Sequence, residues 1–264
     1  MSYRLSTFGY QLAAVVSLIA PALAQPPGRG GPPAVRTARE AAPEDLTGYW
    51  VSVVTEDWRW RMVTPAKGDF ASIPFTAEGR KAGDAWDPAK DEASGDLCKA
   101  YGAAAVMRLP GRLHITWQDD STLKIETDTG RQTRLLHFGG ATPENLQPSR
   151  QGYSAAQWEG AVRGAGLPRA GLGATREGTR SRALQAVTTH LLPGYLRKNG
   201  YPVSGNAVVK EYYDVFTERD GQPWFVVTTI VEDPLYLQEP FVTSSNFKKQ
   251  NDATGWNPRP CSAK

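Results

Sequence analysis

The feature that most constrains this 264-residue chain is a series of short runs in which large apolar side chains alternate with polar ones. In LHITWQDD (113–120) the apolar residues fall at every second position, and LKIETD (123–128) and RQTRLLHF (131–138) follow after polar turns. Side chains two positions apart lie on the same face of a strand, so each run can bury one face of a sheet. These residues predict three antiparallel strands joined as a meander.

Further strand-like runs occupy the rest of the chain. They are ALQAVTTHLL (183–192), VVKEYYDVF (208–216), WFVVTTIV (224–231) and FVTSSNFKK (241–249). Nearer the N-terminus, Trp58, Trp60 and Met62 alternate with Arg59 and Arg61, which predicts another strand with aromatic and guanidinium faces. A total of about eight to ten strands in adjacent hairpins favours an antiparallel barrel or a strongly curled sheet.

Residues 75–102 break the β pattern. Thr76 can cap a helix from Ala77 to Trp86, and Asp87-Pro88 supplies a cap and a first-turn proline for a second short helix. The sequence therefore predicts a mainly β fold with one or two short helices in its N-terminal third.

Residues 1–24 have the pattern of a secretory signal peptide. Arg4 is their only charge, an uncharged stretch runs over 12–23, and Ala24 ends the small-x-small motif that a signal peptidase accepts. A membrane anchor is disfavoured because the apolar segment is short and contains Pro21. We expect cleavage near Ala24, a periplasmic or secreted location, and no stable membrane insertion.

The mature chain divides into a linker and one domain. Residues 25–43 are rich in Pro, Gly, Ala and Arg, which predicts a disordered lead-in to a single domain over 44–264. Residues 160–183 are rich in glycine, alanine and arginine without a sustained period, which predicts a flexible insertion between strands. The insertion could be a tolerated surface loop or a lid, and the sequence leaves both open.

Cys98 and Cys261 are the only cysteines. In an oxidising compartment such a pair is usually a disulfide, which would tie the C-terminal tail to the middle of the domain. Catalytic or metal-binding thiols are the alternative, but neither cysteine has a second Cys or His at ligand spacing.

The chain lacks the sequence features of nucleic-acid-binding proteins, serine hydrolases and nucleotide-binding proteins. Removal of Arg4 with the signal peptide lowers the net charge from +3 to +2, too little for the concentrated cationic face that nucleic acid requires. No G-x-S-x-G nucleophile motif occurs, and the glycine-rich runs at 28–31 and 164–173 do not follow a strand-to-helix pattern. We therefore predict no cofactor, no metal and no nucleic acid.

Two resemblances point to a fold. Gly48-Tyr49-Trp50 is similar to the G-x-W that opens the first strand of lipocalins and other calycins, where the tryptophan closes one barrel end. From Arg112 onward the chain resembles a large family of uncharacterised exported bacterial proteins. Its shared segments here are QGYSAAQWEG (151–160), VTT (187–189), VEDPLYLQEPF (231–241) and the terminal cysteine. The resemblance implies a shared fold without an attached activity, and the insertion at 160–183 departs from it.

A closed barrel of about eight strands either fills with side chains or holds one small ligand. The chain has eight Trp, ten Tyr and eight Phe, which suits a flat hydrophobic or aromatic ligand. By strand alternation the candidate wall residues are Trp58, Trp60, Trp117, Tyr213 and Trp224. Simple core packing is the alternative for each of them. The first functional hypothesis is an exported calycin-like barrel that binds such a molecule.

The second hypothesis is a cofactor-independent lyase or isomerase on a hydrophobic substrate. Its acid–base groups would be drawn from His114, His137, His190, Glu211, Asp214 and Arg61. The alternative is three unrelated histidines, because no spacing in the sequence forces them together. A third hypothesis is an envelope accessory protein without a ligand.

Overall fold

The structure is a computed structural model that describes residues 36–159 and 183–263. These residues form a mainly β fold. Its strands are β1 (Gly48–Val53), β2 (Arg112–Asp119), β3 (Thr122–Thr127), β4 (Thr129–Gly130), β5 (Thr133–Phe138), β6 (Tyr153–Trp158), β7 (Leu184–Thr189), β8 (Gly194–Tyr195), β9 (Pro202–Val203), β10 (Val208–Thr217), β11 (Pro223–Glu232), β12 (Phe241–Gln250) and β13 (Arg259–Pro260).

Nine of these strands close into a barrel in the order β1-β12-β11-β10-β7-β6-β5-β3-β2, with β2 returning to β1. The prediction of a barrel is confirmed, but the prediction of a purely antiparallel one is wrong. Strand directions cannot alternate all the way round a ring with an odd number of members, so at least one pair must be parallel. That pair is β5 and β6, in which Leu136 lies opposite Ser154.

The strand pattern arises from the alternation seen in the sequence. Leu113 and Ile115 on β2, and Phe225 and Val227 on β11, all point into the barrel and are almost fully buried. Their neighbours along each strand lie on the outer face. Because each strand buries one face only, the period of two fixes its register against the core.

Three short helices precede the meander: α1 (Trp58–Arg61), α2 (Ala77–Asp84) and α3 (Pro88–Ser94). Thr76 caps α2 by accepting a hydrogen bond from the backbone N–H of Gly79 at 3.0 Å. Asp87 caps α3 in the same way through Ala89, also at 3.0 Å. Two 3₁₀ turns follow, at Lys99–Tyr101 and Val106–Arg108.

Helix α1 corrects the prediction of a strand at residues 58–62. Strand β1 ends at Val53, and Asp57 adopts φ 51°, in the left-handed region, which redirects the chain into one helical turn. Trp58 and Met62 become exposed, whereas Arg61 turns inward and is buried. An alternation over only five residues cannot distinguish a strand from a single helical turn.

Trp50 lies in the apolar core near one end of the barrel, close to the start of β1. Its indole is fully buried, donates a hydrogen bond from Nε1 to the carbonyl of Leu46 at 2.8 Å, and packs edge-on against Phe225. The adjoining residues 36–43 lie within the predicted disordered linker, yet they form a turn against this end. Trp158 Nε1 donates to the Ala38 carbonyl at 3.0 Å, and Ala42 packs on the core.

The opposite end is closed by a second apolar cluster. It is built from the segments around Phe70, Ala103, Leu196 and Tyr201, which pack against Val231 and Phe241 from the barrel. Beside it, Cys98 and Cys261 form the predicted disulfide, which joins the tail to the start of the first 3₁₀ turn.

Several predictions fall on residues that the structure does not describe: the signal peptide (1–24), the linker as far as residue 35, and the insertion from 160 to 182. Within the described ranges, none of the helices has the length and apolar character needed to span a bilayer.

Candidate functional site

Three arginines converge beside the second apolar cluster. Arg61 comes from α1, Arg108 ends the second 3₁₀ turn, and Arg197 lies in the loop between β8 and β9. With Trp60 they line a small concavity whose other walls include Ala105 and Leu196. We call this concavity the arginine pocket.

Hydrogen bonds and ion pairs fix the side chains of Arg61 and Arg108. Arg61 Nε donates to the carbonyl of Arg108 at 2.8 Å, and its Nη1 pairs with Glu56. Arg108 Nη2 lies 3.0 Å from Asp57 Oδ2. Both guanidinium groups are therefore fixed in direction while remaining buried.

Arg197 is held differently. Its Nη1 donates to the Ala71 carbonyl at 2.8 Å, and its guanidinium carbon lies 5.2 Å from the Trp60 ring centroid and 5.5 Å from that of Phe241. Arg108 stacks on Phe241 as well, at 5.4 Å. Aromatic faces attract cations, so these rings orient two guanidinium planes without using their N–H donors.

Several donor atoms on the residues that line this pocket have no partner. Trp60 Nε1, Arg61 Nη2, Arg108 Nε, and both Nε and Nη2 of Arg197 are buried and make no hydrogen bond to any described residue. The pocket has a cavity volume of about 30 Å³. Since a water needs about 10–15 Å³ by the same measure, the space suits a group with about two oxygen-sized atoms.

The electrostatics of the pocket are those of crowded, buried cations. Burial, followed by the repulsion of Arg197, lowers the pKa of Arg108 to about 10, although Asp57 opposes the shift. Burial also lowers the pKa of Arg61 and of Arg197. A protonated guanidinium is therefore less stable here than in water, and a negative charge in the pocket would relieve that cost.

A fourth buried arginine lies inside the barrel and has a carboxylate partner there, although its Nε makes no hydrogen bond to a described residue. Arg134 donates from Nη1 and Nη2 to the two carboxylate oxygens of Glu211 at 2.8 and 2.6 Å. Its Nη2 also lies 3.3 Å from Thr188 Oγ1, which in turn is 2.7 Å from Ser154 Oγ. Burial alone would lower the pKa of Arg134, but the attraction of Glu211 outweighs it and the pKa is raised.

The structure does not bring the three histidines together. His114 lies on the outer face of β2, stacked on Tyr49 at 4.2 Å, with Nδ1 3.3 Å from Glu126 Oε2. His137 stacks on Tyr153 at 4.8 Å, and His190 Nδ1 is 2.9 Å from Thr189 Oγ1. Among residues 36–159 and 183–263, no group of three or more His, Cys, Asp or Glu side chains is placed to hold a metal.

The other predicted acid–base residues are also dispersed. Glu211 is fully buried in the barrel with Arg134, whereas Asp214 is exposed on the outer face of the same strand. Burial, followed by the nearby charge of Glu159, raises the pKa of Asp214. Of the residues predicted for acid–base chemistry, Arg61 alone lines the arginine pocket.

The predicted wall aromatics occupy five different settings. Trp58 is exposed, Trp117 packs on Phe138 at 5.4 Å near the barrel end, and Trp224 stacks on Phe216. Tyr213 is buried inside the barrel, and Trp60 lines the arginine pocket. Large side chains that are less than 2% exposed, including Trp50, Phe225 and Phe247, fill the interior. The pocket therefore lies at the barrel end and not in its lumen.

Sequence reasoning missed Arg108 and Arg197. Both are single arginines in turn-rich segments, MRLPG (107–111) and GYLRKNG (194–200), without a periodic pattern. The available signal was an arginine beside a large apolar residue in each segment, Met107 and Leu196, because both neighbours prove to be buried. That signal is weak on its own.

Fold and site together define a closed nine-stranded barrel with a buried cationic pocket at one end. No protein-family model matches the chain, and comparisons with curated proteins and with solved structures find no significant similarity. The resemblances to calycins and to exported bacterial proteins therefore stay predictions.

Proposed function

We propose that this is an exported, calycin-like binding protein for a small organic anion, whose carboxylate enters the arginine pocket. The observation that carries the proposal is the set of buried, unpartnered donors on Trp60, Arg61, Arg108 and Arg197. Buried polar groups in folded proteins nearly always have partners, so a cluster of orphans on one concavity favours an absent ligand.

Charge favours an anion over water as that ligand. Water could accept the hydrogen bonds, but it would add no negative charge to a site where three guanidinium groups are buried together. Glu56 and Asp57 form ion pairs with Arg61 and Arg108, while Arg197 forms no ion pair with a described residue and is stabilised by Asp57 and Asp69 only at longer range. An anion supplies acceptors and negative charge together, and charge-assisted hydrogen bonds are the stronger kind.

Size and shape favour a carboxylate. The cavity of about 30 Å³ has room for the two oxygen atoms of a carboxylate. Guanidinium forks match the planar geometry of a carboxylate, and stacking on Trp60 and Phe241 holds two of those planes in place. Val63 and Leu109 add apolar walls, so a hydrophobic or aromatic body attached to the carboxylate suits the site.

Binding is favoured over acid–base catalysis. A general acid or base works best when its pKa lies near the operating pH. Guanidinium groups, even Arg108 with a pKa of about 10, hold their protons at neutral pH. The three histidines have other neighbours.

Calorimetric titration with benzoate and with its neutral isostere benzamide tests the proposal. We expect saturable binding of benzoate, with benzamide at least about tenfold weaker, because a hydrogen bond to a charged group contributes roughly 1.5–3 kcal/mol. Equal affinity for the two compounds would point to apolar binding without anion recognition, and no binding of any carboxylate would overturn the proposal.

A matched pair of variants locates the site. Arg197→Gln removes the pocket charge that has no ion pair, whereas Arg219→Gln removes the same charge from the exposed turn between β10 and β11. We expect the first to weaken benzoate binding by about tenfold or more and the second to leave it unchanged. Circular dichroism checks that both variants are folded. Unchanged binding in folded Arg197→Gln would contradict the assignment.

A further inference from the structure

A wider groove lies beside the arginine pocket, along the C-terminal tail. Its volume is about 590 Å³, and its lining includes Arg61, Tyr101, Arg112, Asp128, Thr129 and Arg259. We call it the tail groove. Arg61 and Lys198 line both concavities, so the pocket and the groove are adjacent.

The outer wall of the groove is fixed to the domain. Strand β13 pairs in parallel with β4, and Arg259 N donates to the Asp128 carbonyl at 2.7 Å. The next residue after β13, Cys261, is bridged to Cys98. On the opposing strand, a Cβ at Gly130 would lie 2.2 Å from Tyr101 Cδ1, so the absence of a side chain there lets the wall approach closely. Arg259 therefore has a defined backbone position although its side chain is exposed.

The groove carries more positive than negative charge. Arg112 and Arg259 lie along it beyond Arg61, and Asp128 is the one carboxylate among its described lining residues. Asp128 Oδ1 accepts hydrogen bonds from Arg112 N at 2.7 Å and from Thr129 Oγ1 at 3.3 Å, so its charge is already engaged. Arg112 Nε donates to Gln250 at 3.1 Å, which orients its guanidinium without neutralising it.

We propose that the tail groove is a second anion subsite, and that the ligand is an extended dicarboxylate. One carboxylate enters the arginine pocket, as the proposed function requires, and the second lies between Arg112 and Arg259. The groove is too wide and too polar to select a compact apolar body, since hydroxyl groups of Tyr101 and Thr129 share its lining. Its volume instead suits a spacer that separates two charged ends.

Calorimetry with a series of linear dicarboxylates, from succinate to sebacate, tests this inference. Each dicarboxylate is compared with the monocarboxylate of equal chain length at constant ionic strength. We expect one length range in which the dicarboxylate binds about tenfold more tightly than its monocarboxylate, because the second carboxylate would form partly exposed ion pairs with both Arg112 and Arg259. Shorter dicarboxylates should show no such advantage.

The double variant Arg112→Gln/Arg259→Gln should reduce that dicarboxylate to the affinity of its monocarboxylate while leaving monocarboxylate binding unchanged. Arg219→Gln is again the control for loss of charge. If monocarboxylates bind and no dicarboxylate exceeds them, or if the advantage persists in the double variant, the second subsite is wrong and the arginine pocket stands. If neither class binds, the proposed function itself fails.

Discussion

At the scale of residues, Arg134 and Arg197 are both buried, but they differ in the groups that contact their guanidinium charges. Arg134 has a bidentate carboxylate partner in Glu211, whereas Arg197 has a carbonyl and two aromatic faces. A buried, paired arginine is a structural element of the core. A buried arginine without an anion is a position at which a ligand can complete the electrostatics.

Removing one member of the interior pair should destabilise the barrel. Glu211→Gln leaves the Arg134 charge buried without a counter-charge, and we expect the free energy of unfolding to fall by about 3–5 kcal/mol in urea titrations. The double variant Arg134→Met/Glu211→Leu removes both charges and should recover most of the loss. A Glu211→Gln protein as stable as the parent would show that the pair contributes little.

Anion affinity should depend on pH through Arg108. The groups that face it are Asp57, Arg61 and Arg197, and together with burial they set its pKa at about 10. Because the protonated form binds the anion, affinity should be constant across neutral pH and should fall as the pH rises through about 10. A histidine-dependent site would instead lose affinity as the pH rises through roughly 6.5. Benzoate titrations over this range distinguish the two.

At the scale of elements, the strands were the predictable part of this fold. Runs such as LHITWQDD have one apolar face, and a strand must bury that face, so local pattern and tertiary environment agree. The run Trp58–Met62 has the same alternation, yet it lies beyond the end of β1, where Asp57 turns the chain. The alternation of apolar and polar residues alone does not distinguish the strand in LHITWQDD from the helical turn at Trp58–Met62.

The tail is held by the disulfide. Cys98 and Cys261 are 163 residues apart in sequence, and a bridge over so long a loop can contribute on the order of 4–5 kcal/mol through the entropy of the unfolded chain. We therefore expect reductant to lower the urea midpoint of the parent chain. The Cys98→Ala/Cys261→Ala variant is the control, since reductant should not change it further. Equal midpoints for the parent with and without reductant would contradict this.

At the scale of the whole molecule, the site depends on contacts that sequence spacing does not reveal. Its groups come from residues 60–61, from Arg108 and from Arg197, and these segments meet only because the barrel end brings them together. The parallel pair of β5 and β6 has a similar origin, because it follows from closing an odd number of strands. The disulfide could be predicted, since the chain has only two cysteines.

The central claim is that the arginine pocket binds a carboxylate, and site-resolved NMR tests it most directly. The probes are the Trp60 indole N–H and the Nε–H groups of Arg108 and Arg197, which lack partners, while the Trp50 and Trp158 indoles are bonded to carbonyls and serve as internal controls. On titration with benzoate we predict saturable shifts in the three probes and none in the two controls. Probe signals that stay in place, or that shift together with the controls, would contradict the account.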